Sequence, residues 1–268
     1  MTTRNLIRTI GLAAVLGMSL TACGSSGDGG GGSSSTADKL PTISSGTLTV
    51  CSDVPYPPFE DFDSSSPSGF KGFDVDIASA IAQGLGLKLK VKDSSFDALQ
   101  SGQSLNAKQC DLVASAMTIT DDRKKALDFS DGYYDSEQSL LVPAGSSIAS
   151  IGDLKGKKVG VQQGTTGKTY AEQHATGAKI VSFPSDAEMY AAIKAGQVDA
   201  LLQDLPVNLD HTKDGKFQIV EKYSTNEEYG LAIRKGNTSL VTAVDEQLSA
   251  LRKDGKYDEI YNKYFATN

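Results

Sequence analysis

"NAKQCDLVASAM" (Asn106–Met117) ends a helical stretch and passes, through an aspartate, into a run that is apolar but for Ser115. A strand with one wet face would alternate. A run without alternation belongs to a strand covered on both sides, the usual state of a parallel sheet. "KAGQVDALLQD" (Lys194–Asp204) repeats the move: a helix end, an aspartate, then a buried strand. The echo suggests two α/β lobes built alike.

The pattern extends outward in both directions. "GTLTVCSD", "KLKVKDS", "KVGVQQ", "KIVSF" and "YGLAIRK" read as strands. Between them, "GFDVDIASAIAQGLGL" places Phe73, Ile77 and Ile81 at helical spacing, with acids in its first turn and glycines at its end. "KTYAEQHA", "DAEMYAAIKAG", "LVTAVDEQLSALRKDG" and "YDEIYNKYF" are also helices, and "FDALQSGQSLNAKQC" is one with a loose end. Thr120 caps a short helix whose first turn holds Asp121 and Asp122, where negative charge is favoured. "GTTG" (164–167) is a turn lacking the lysine and the spacing of a phosphate loop.

Residues 1–22 read as a targeting segment. Arg4 and Arg8 precede an apolar run, Ile10–Leu20, that is too short to span a bilayer. The run ends in "LTAC", and a cysteine at Cys23 after small residues resembles the lipidation site of bacterial lipoproteins. The Gly/Ser stretch that follows cannot bury enough surface to fold and reads as a flexible tether.

The formal charge is -7, and loss of the leader with its two arginines makes it more negative. Nucleic acid binding calls for the opposite sign. The histidines, His174 and His211, lie far from each other and from the cysteines, so no metal spacing exists and both read as surface residues. No cofactor is expected. Cys51 and Cys110 form an even pair in an exported chain. The expected strand register offsets them by three residues, about 10 Å, against about 7 Å for bridgeable Cα atoms. A disulfide and two buried thiols both stay open.

Eight segments resemble, in order and spacing, the polar amino acid-binding family of extracellular solute-binding proteins of ABC importers. They are "YPPFE", "GFDVDIASAIA", "FDAL", "SAMTITDDRKKALDFSDGYY", "DLKGKKVGVQQGTTG", "GQVDALLQD", "YGLAIRKGN" and "LRKDGKYDEIYNKYF". The resemblance implies two doubly wound α/β lobes joined by a two-strand hinge. Lobe one would be 44–132 plus 231–268, lobe two 138–226, and the hinge 133–137 and 227–230. Residues 1–22 and 23–43 would be leader and tether.

It also implies a site. Arg123, Thr118 and Thr166 would meet an amino acid's α-carboxylate. Asp204, with Ala116 and Thr118, would take the α-ammonium. The ligand side chain would fall to Asp53, Tyr56, Phe96, Ser115, Met117, Gln162 and Gln203. A buried zwitterion needs each charge paired, and a guanidinium fork suits a carboxylate best. Asp204 reads equally as the N-cap of the helix beginning "LPVNLD", and both roles can hold. Asp53 with neutral Gln162 and Gln203 favours a basic amino acid, with glutamine second. The implied protein is a monomeric lipid-anchored receptor on the outer face of the membrane, partnered by an importer permease. An exported cyclohexadienyl-type dehydratase on the same fold is the enzymatic rival. Glu60 or Glu137 would be its acid, but neither has a visible tuning partner, so no enzyme is expected.

Overall fold

The computed structural model describes residues 40–266. The leader, Cys23 and most of the tether fall outside these residues. Two five-stranded sheets carry the fold.

The first sheet is ordered β4 (Lys88–Asp93), β1 (Thr47–Ser52), β5 (Leu112–Val113), β12 (Ala232–Arg234), β6 (Leu127–Phe129). β1 runs parallel to β4 and β5, whereas β12 is antiparallel to β5 and β6. Alternate residues feed two cores, as a pleated sheet covered on both faces requires. Val50, Leu112 and Ile233 join Phe73, Ile77 and Ile81 of α1 (Phe73–Gly84) on one face. Cys51, Val113 and Ala232 join Phe96 and Leu99 of α2 (Phe96–Gln100) on the other. The helices α8 (Thr238–Lys253) and α9 (Lys256–Phe265) complete the first core with Val244, Leu248 and Ile260.

The second sheet is ordered β11 (Phe217–Tyr229), β7 (Tyr134–Pro143), β10 (Ala200–Asp204), β8 (Lys158–Gln162), β9 (Lys179–Phe183). β8 is parallel to β9 and β10, and β7 is antiparallel to β10 and β11. Leu202 packs with Ala171 of α5 (Thr166–His174), and Leu201 packs with Met189 and Ile193 of α6 (Asp186–Lys194) on the opposite face. β7 and β11 start and end among the aromatics of the first core, where the Tyr134 and Tyr229 rings stack at 5.4 Å. These two strands therefore carry the chain between the sheets.

Several expectations change. "DLVASAM" is a strand only at Leu112–Val113, because Ala116 turns left-handed with φ 44°. The loose helix of 96–110 is two pieces, α2 and α3 (Gln103–Asn106), parted at left-handed Gly102. β11 and the short strands β2 (Asp61–Phe62), β3 (Phe70–Lys71) and β6 carried no clear strand signal. Gly72 has φ 130°, and a Cβ there would overlap the Phe59 carbonyl, so only glycine lets the Tyr56–Glu60 loop lie on α1.

Cys51 and Cys110 form a disulfide with Cα atoms 5.8 Å apart. The three-residue offset is real, since Cys51 pairs with Val113. Cys110 nevertheless precedes β5, and the chain there has left the strand direction, so the extended-strand distance does not apply.

Candidate functional site

Parallel strands place ligands beyond their carboxyl ends, where loops and helix starts converge. Here β1, β5, β8 and β10 all end at one small cavity. The first lobe lines it with Asp53, Tyr56, Phe96, Ser115, Ala116, Thr118 and Arg123, and the second with Gln162, Thr165, Thr166 and Asp204. Ten residues expected at the site from sequence thus share one crevice.

Arg123 owes its place to α4 (Asp121–Lys124). Thr120 caps it by accepting from the Arg123 N–H at 3.2 Å, which fixes the arginine in the first turn. Its guanidinium is buried. Nη1 donates to the Thr118 carbonyl at 2.7 Å, and Nη2 crosses the cleft to the Gly164 carbonyl at 3.0 Å. The guanidinium carbon lies 5.2 Å from the centre of the Phe96 ring, within cation–π range. Burial lowers its pKa to about 10, against the opposing pull of Glu227 and Asp204, so it stays charged at neutral pH.

Asp204 ends β10 and occupies the N-cap position of α7 (Leu205–His211), but its side chain caps nothing. It accepts instead from the Tyr56 hydroxyl at 2.6 Å and from Gln138 Nε2 at 2.5 Å. Burial, and then the charge of Glu227, push it up to about 7. Asp53 follows β1 and accepts from Gln162 Nε2 across the cleft at 2.5 Å. Burial raises it to about 7 as well. Three hydrogen bonds therefore cross between the lobes at this cavity, Gln162–Asp53, Tyr56–Asp204 and Arg123–Gly164, beside a Thr118–Thr166 hydroxyl contact at 3.4 Å.

A buried support lies behind the first lobe's wall. The Ser115 hydroxyl accepts from the Asp53 N–H at 2.9 Å and donates to Glu60 at 2.5 Å. The Ala116 N–H donates to Asp74 at 2.7 Å, which pins the left-handed turn. Glu60 is fully buried and does not line the cavity. Contrary to the sequence expectation it is tuned: burial, and then Asp74, raise its pKa far above the usual carboxylate range. Glu137 is absent from the cavity lining.

Two expected site residues lie elsewhere. Met117 is fully buried in the core beneath the first sheet, packed with Phe96 and Leu127, because the turn at Ala116 sends it inward. Gln203 does not line the cavity, since alternation along β10 gives that side to Asp204. Its Nε2 donates to Asp186 at 2.9 Å and to Asn208 at 3.0 Å. His211, expected at the surface, is buried against Asp186 at 2.9 Å and stacks on Tyr190 at 3.8 Å.

Two residues were missed. Gln138 and Glu227 stand on the crossing strands β7 and β11, each within hydrogen-bond reach of a cavity residue. The signal available for Glu227 was period-two alternation counted back from Tyr229.

Comparison with known proteins agrees with this geometry. Residues 48–267 match the model for bacterial extracellular solute-binding proteins, family 3. The chain is 36% identical to the ABC transporter glutamine-binding protein of Bacillus subtilis (strain 168), covering 91% of each. It is 34% identical to an L-arginine-binding protein of Pseudomonas aeruginosa, over 85% of this chain and 91% of that one. Among solved structures, an ancestral arginine-binding protein bound to arginine superposes with a TM-score of 0.77 at 40% identity, over 82% of this chain and 99% of the other. The two-lobed α/β architecture with its ligand crevice is that of periplasmic-type amino acid-binding proteins, and the chain belongs to family 3 of the bacterial extracellular solute-binding proteins.

Proposed function

We propose that this protein is the receptor of an amino acid ABC importer and clamps a basic L-amino acid between its lobes. One observation carries the reading: a buried guanidinium from one lobe and a buried carboxylate from the other, Arg123 and Asp204, line the same cavity. Arg123 takes the α-carboxylate with Thr118 and Thr166. Asp204, Ala116 and Thr118 take the α-ammonium. Asp53, with Gln162, Tyr56, Phe96 and Ser115, receives the ligand's side chain. Two acids and one arginine facing the cavity are balanced by a ligand of net charge +1. Ligand binding shifts the population toward the closed form, in which both lobes touch the ligand, and reopening releases it to the permease. A lipid on Cys23 and the Gly/Ser tether would hold a monomer at the outer face of the membrane.

Glutamine is the second reading. It is supported by the glutamine-binding relative and by a 40% identical ancestral arginine-binding protein solved with glutamine bound. Dehydratase chemistry is disfavoured because Glu60 is kept from the cavity.

Calorimetry with L-arginine, L-lysine, L-histidine and L-glutamine separates the two readings. Asp53→Asn is expected to weaken the cationic ligand by about 30- to 100-fold, the lower end of the cost, about 2–5 kcal/mol, of unpairing a buried charge. Glutamine should change by less than about threefold, as for loss of a neutral-ligand contact. Equal effects on both ligands would overturn the assignment of Asp53.

A further inference from the structure

β11 pairs with β7 from Tyr223 opposite Gln138 to Glu227 opposite Ser136, four steps on one strand against two on the other. The excess forms a bulge in which Asn226 is left-handed at φ 54°. Bulges re-aim side chains. Beyond this one, Glu227 and Tyr229 face inward while Glu228 faces solvent.

Glu227 is thereby set at the hinge end of the cleft. Its Oε2 accepts from the Thr118 hydroxyl of the first lobe at 2.7 Å and from the Thr166 hydroxyl of the second at 2.8 Å. Its Oε1 accepts from Gln138 Nε2 at 3.1 Å, the same nitrogen that reaches Asp204. Its charge is the foremost attraction felt by Arg123. Two hydroxyls and a nearby guanidinium make up a carboxylate receptor, and a carboxylate of the protein itself already holds both hydroxyls.

We propose that Glu227 sets affinity by competing with the ligand's α-carboxylate for the hydroxyls of Thr118 and Thr166. The inference rests on the reading above, in which those donors meet an amino acid. An arriving carboxylate has to draw hydroxyls away from Glu227 and sit close to a like charge. Both effects weaken binding and ease release. Because one oxygen receives a hydroxyl from each lobe, Glu227 also ties the lobes together at the hinge.

The test is calorimetric titration of wild type and Glu227→Gln with L-arginine and with L-argininamide, which lacks the carboxylate charge. The near-isosteric amide keeps the packing. Glu227→Gln should bind L-arginine about tenfold more tightly, and the preference for acid over amide should grow by at least that factor, one pKa unit's worth of interaction. Glu227→Ala should move the preference the same way. A purely structural glutamate would weaken both ligands equally and leave the preference unchanged, and that result overturns the proposal. Wild type alone tests the underlying reading: if it binds none of the twenty amino acids, that reading falls and this inference with it. If it binds L-arginine but the preference does not move, only the inference falls.

Discussion

Arg123→Ala is expected to raise the Kd for every L-amino acid by about 10³-fold, toward the upper end of the cost, about 2–5 kcal/mol, of truncating one member of a buried charged pair. The guanidinium holds two backbone carbonyls, Thr118 on its own lobe and Gly164 across the cleft, and lies over Phe96. On the proposed reading, its removal strips the ligand carboxylate of its fork. It also removes a positive charge that feels the attraction of Glu227 and then Asp204. Lysine is a poor substitute, since a point charge cannot span Thr118, Gly164 and a carboxylate at once. Titration with arginine, lysine, histidine and glutamine checks the result, with thermal unfolding as the control for folding. Binding within about tenfold of wild type, roughly 1.4 kcal/mol, would remove Arg123 from the site.

The second large effect is on pH. Asp53 and Asp204 are each raised from 3.8 to about 7, mainly by burial. The folded chain thus binds these protons more tightly than the unfolded chain does. Their contribution to ligand-free stability is complete below about pH 4 and is lost as pH rises through about 7. Asp74, also raised to about 7 by burial, adds to that slope without touching the ligand. A cationic amino acid acts in the opposite sense, because it favours both acids in their ionised form. Between about pH 5 and 7, arginine binding should release close to two protons and tighten by up to about 100-fold per pH unit. Glutamine engages only Asp204 as a charge partner, so it should release close to one proton and tighten by up to about tenfold per unit. Calorimetry at pH 6 in buffers of different ionisation heat counts the protons directly. Equal counts for the two ligands, or none, would contradict the pairing of Asp53 with a side-chain cation.

Legibility followed physics that acts along the chain. α1 was readable because Phe73, Ile77 and Ile81 are local spacing, and β10 because "ALLQD" is buried on both faces. Arg123 and Asp204 were readable as candidates through the resemblance that their motifs carry: an arginine in a helix's first turn reads by itself as a solvated surface charge, whereas the end of a strand gave Asp204 added support. Features set by long-range geometry were not. Met117 reads like Thr118 until the left-handed turn at Ala116 separates them. Gln203 and Asp204 are neighbours in sequence, yet the pleat assigns one to Asp186 and the other to the cavity. The disulfide depended on a bend before β5, and Glu227 on a bulge, neither of which has a composition of its own. His211 reads as surface because its cover, Tyr190 and Asp186, comes from another helix.

β12 lies between β5 and β6, yet the chain reaches it only after the whole second sheet has been laid down. Every strand of the second sheet lies within one uninterrupted stretch, so that half can condense while the C-terminus is still being translated or exported. The first half has to wait with a gap in its middle until Ala232–Arg234 arrive, followed by the helices that seal its core. The order of maturation is therefore the reverse of the order of synthesis, and a nascent chain halted before Ala232 would hold a finished clamp arm beside an unclosed partner.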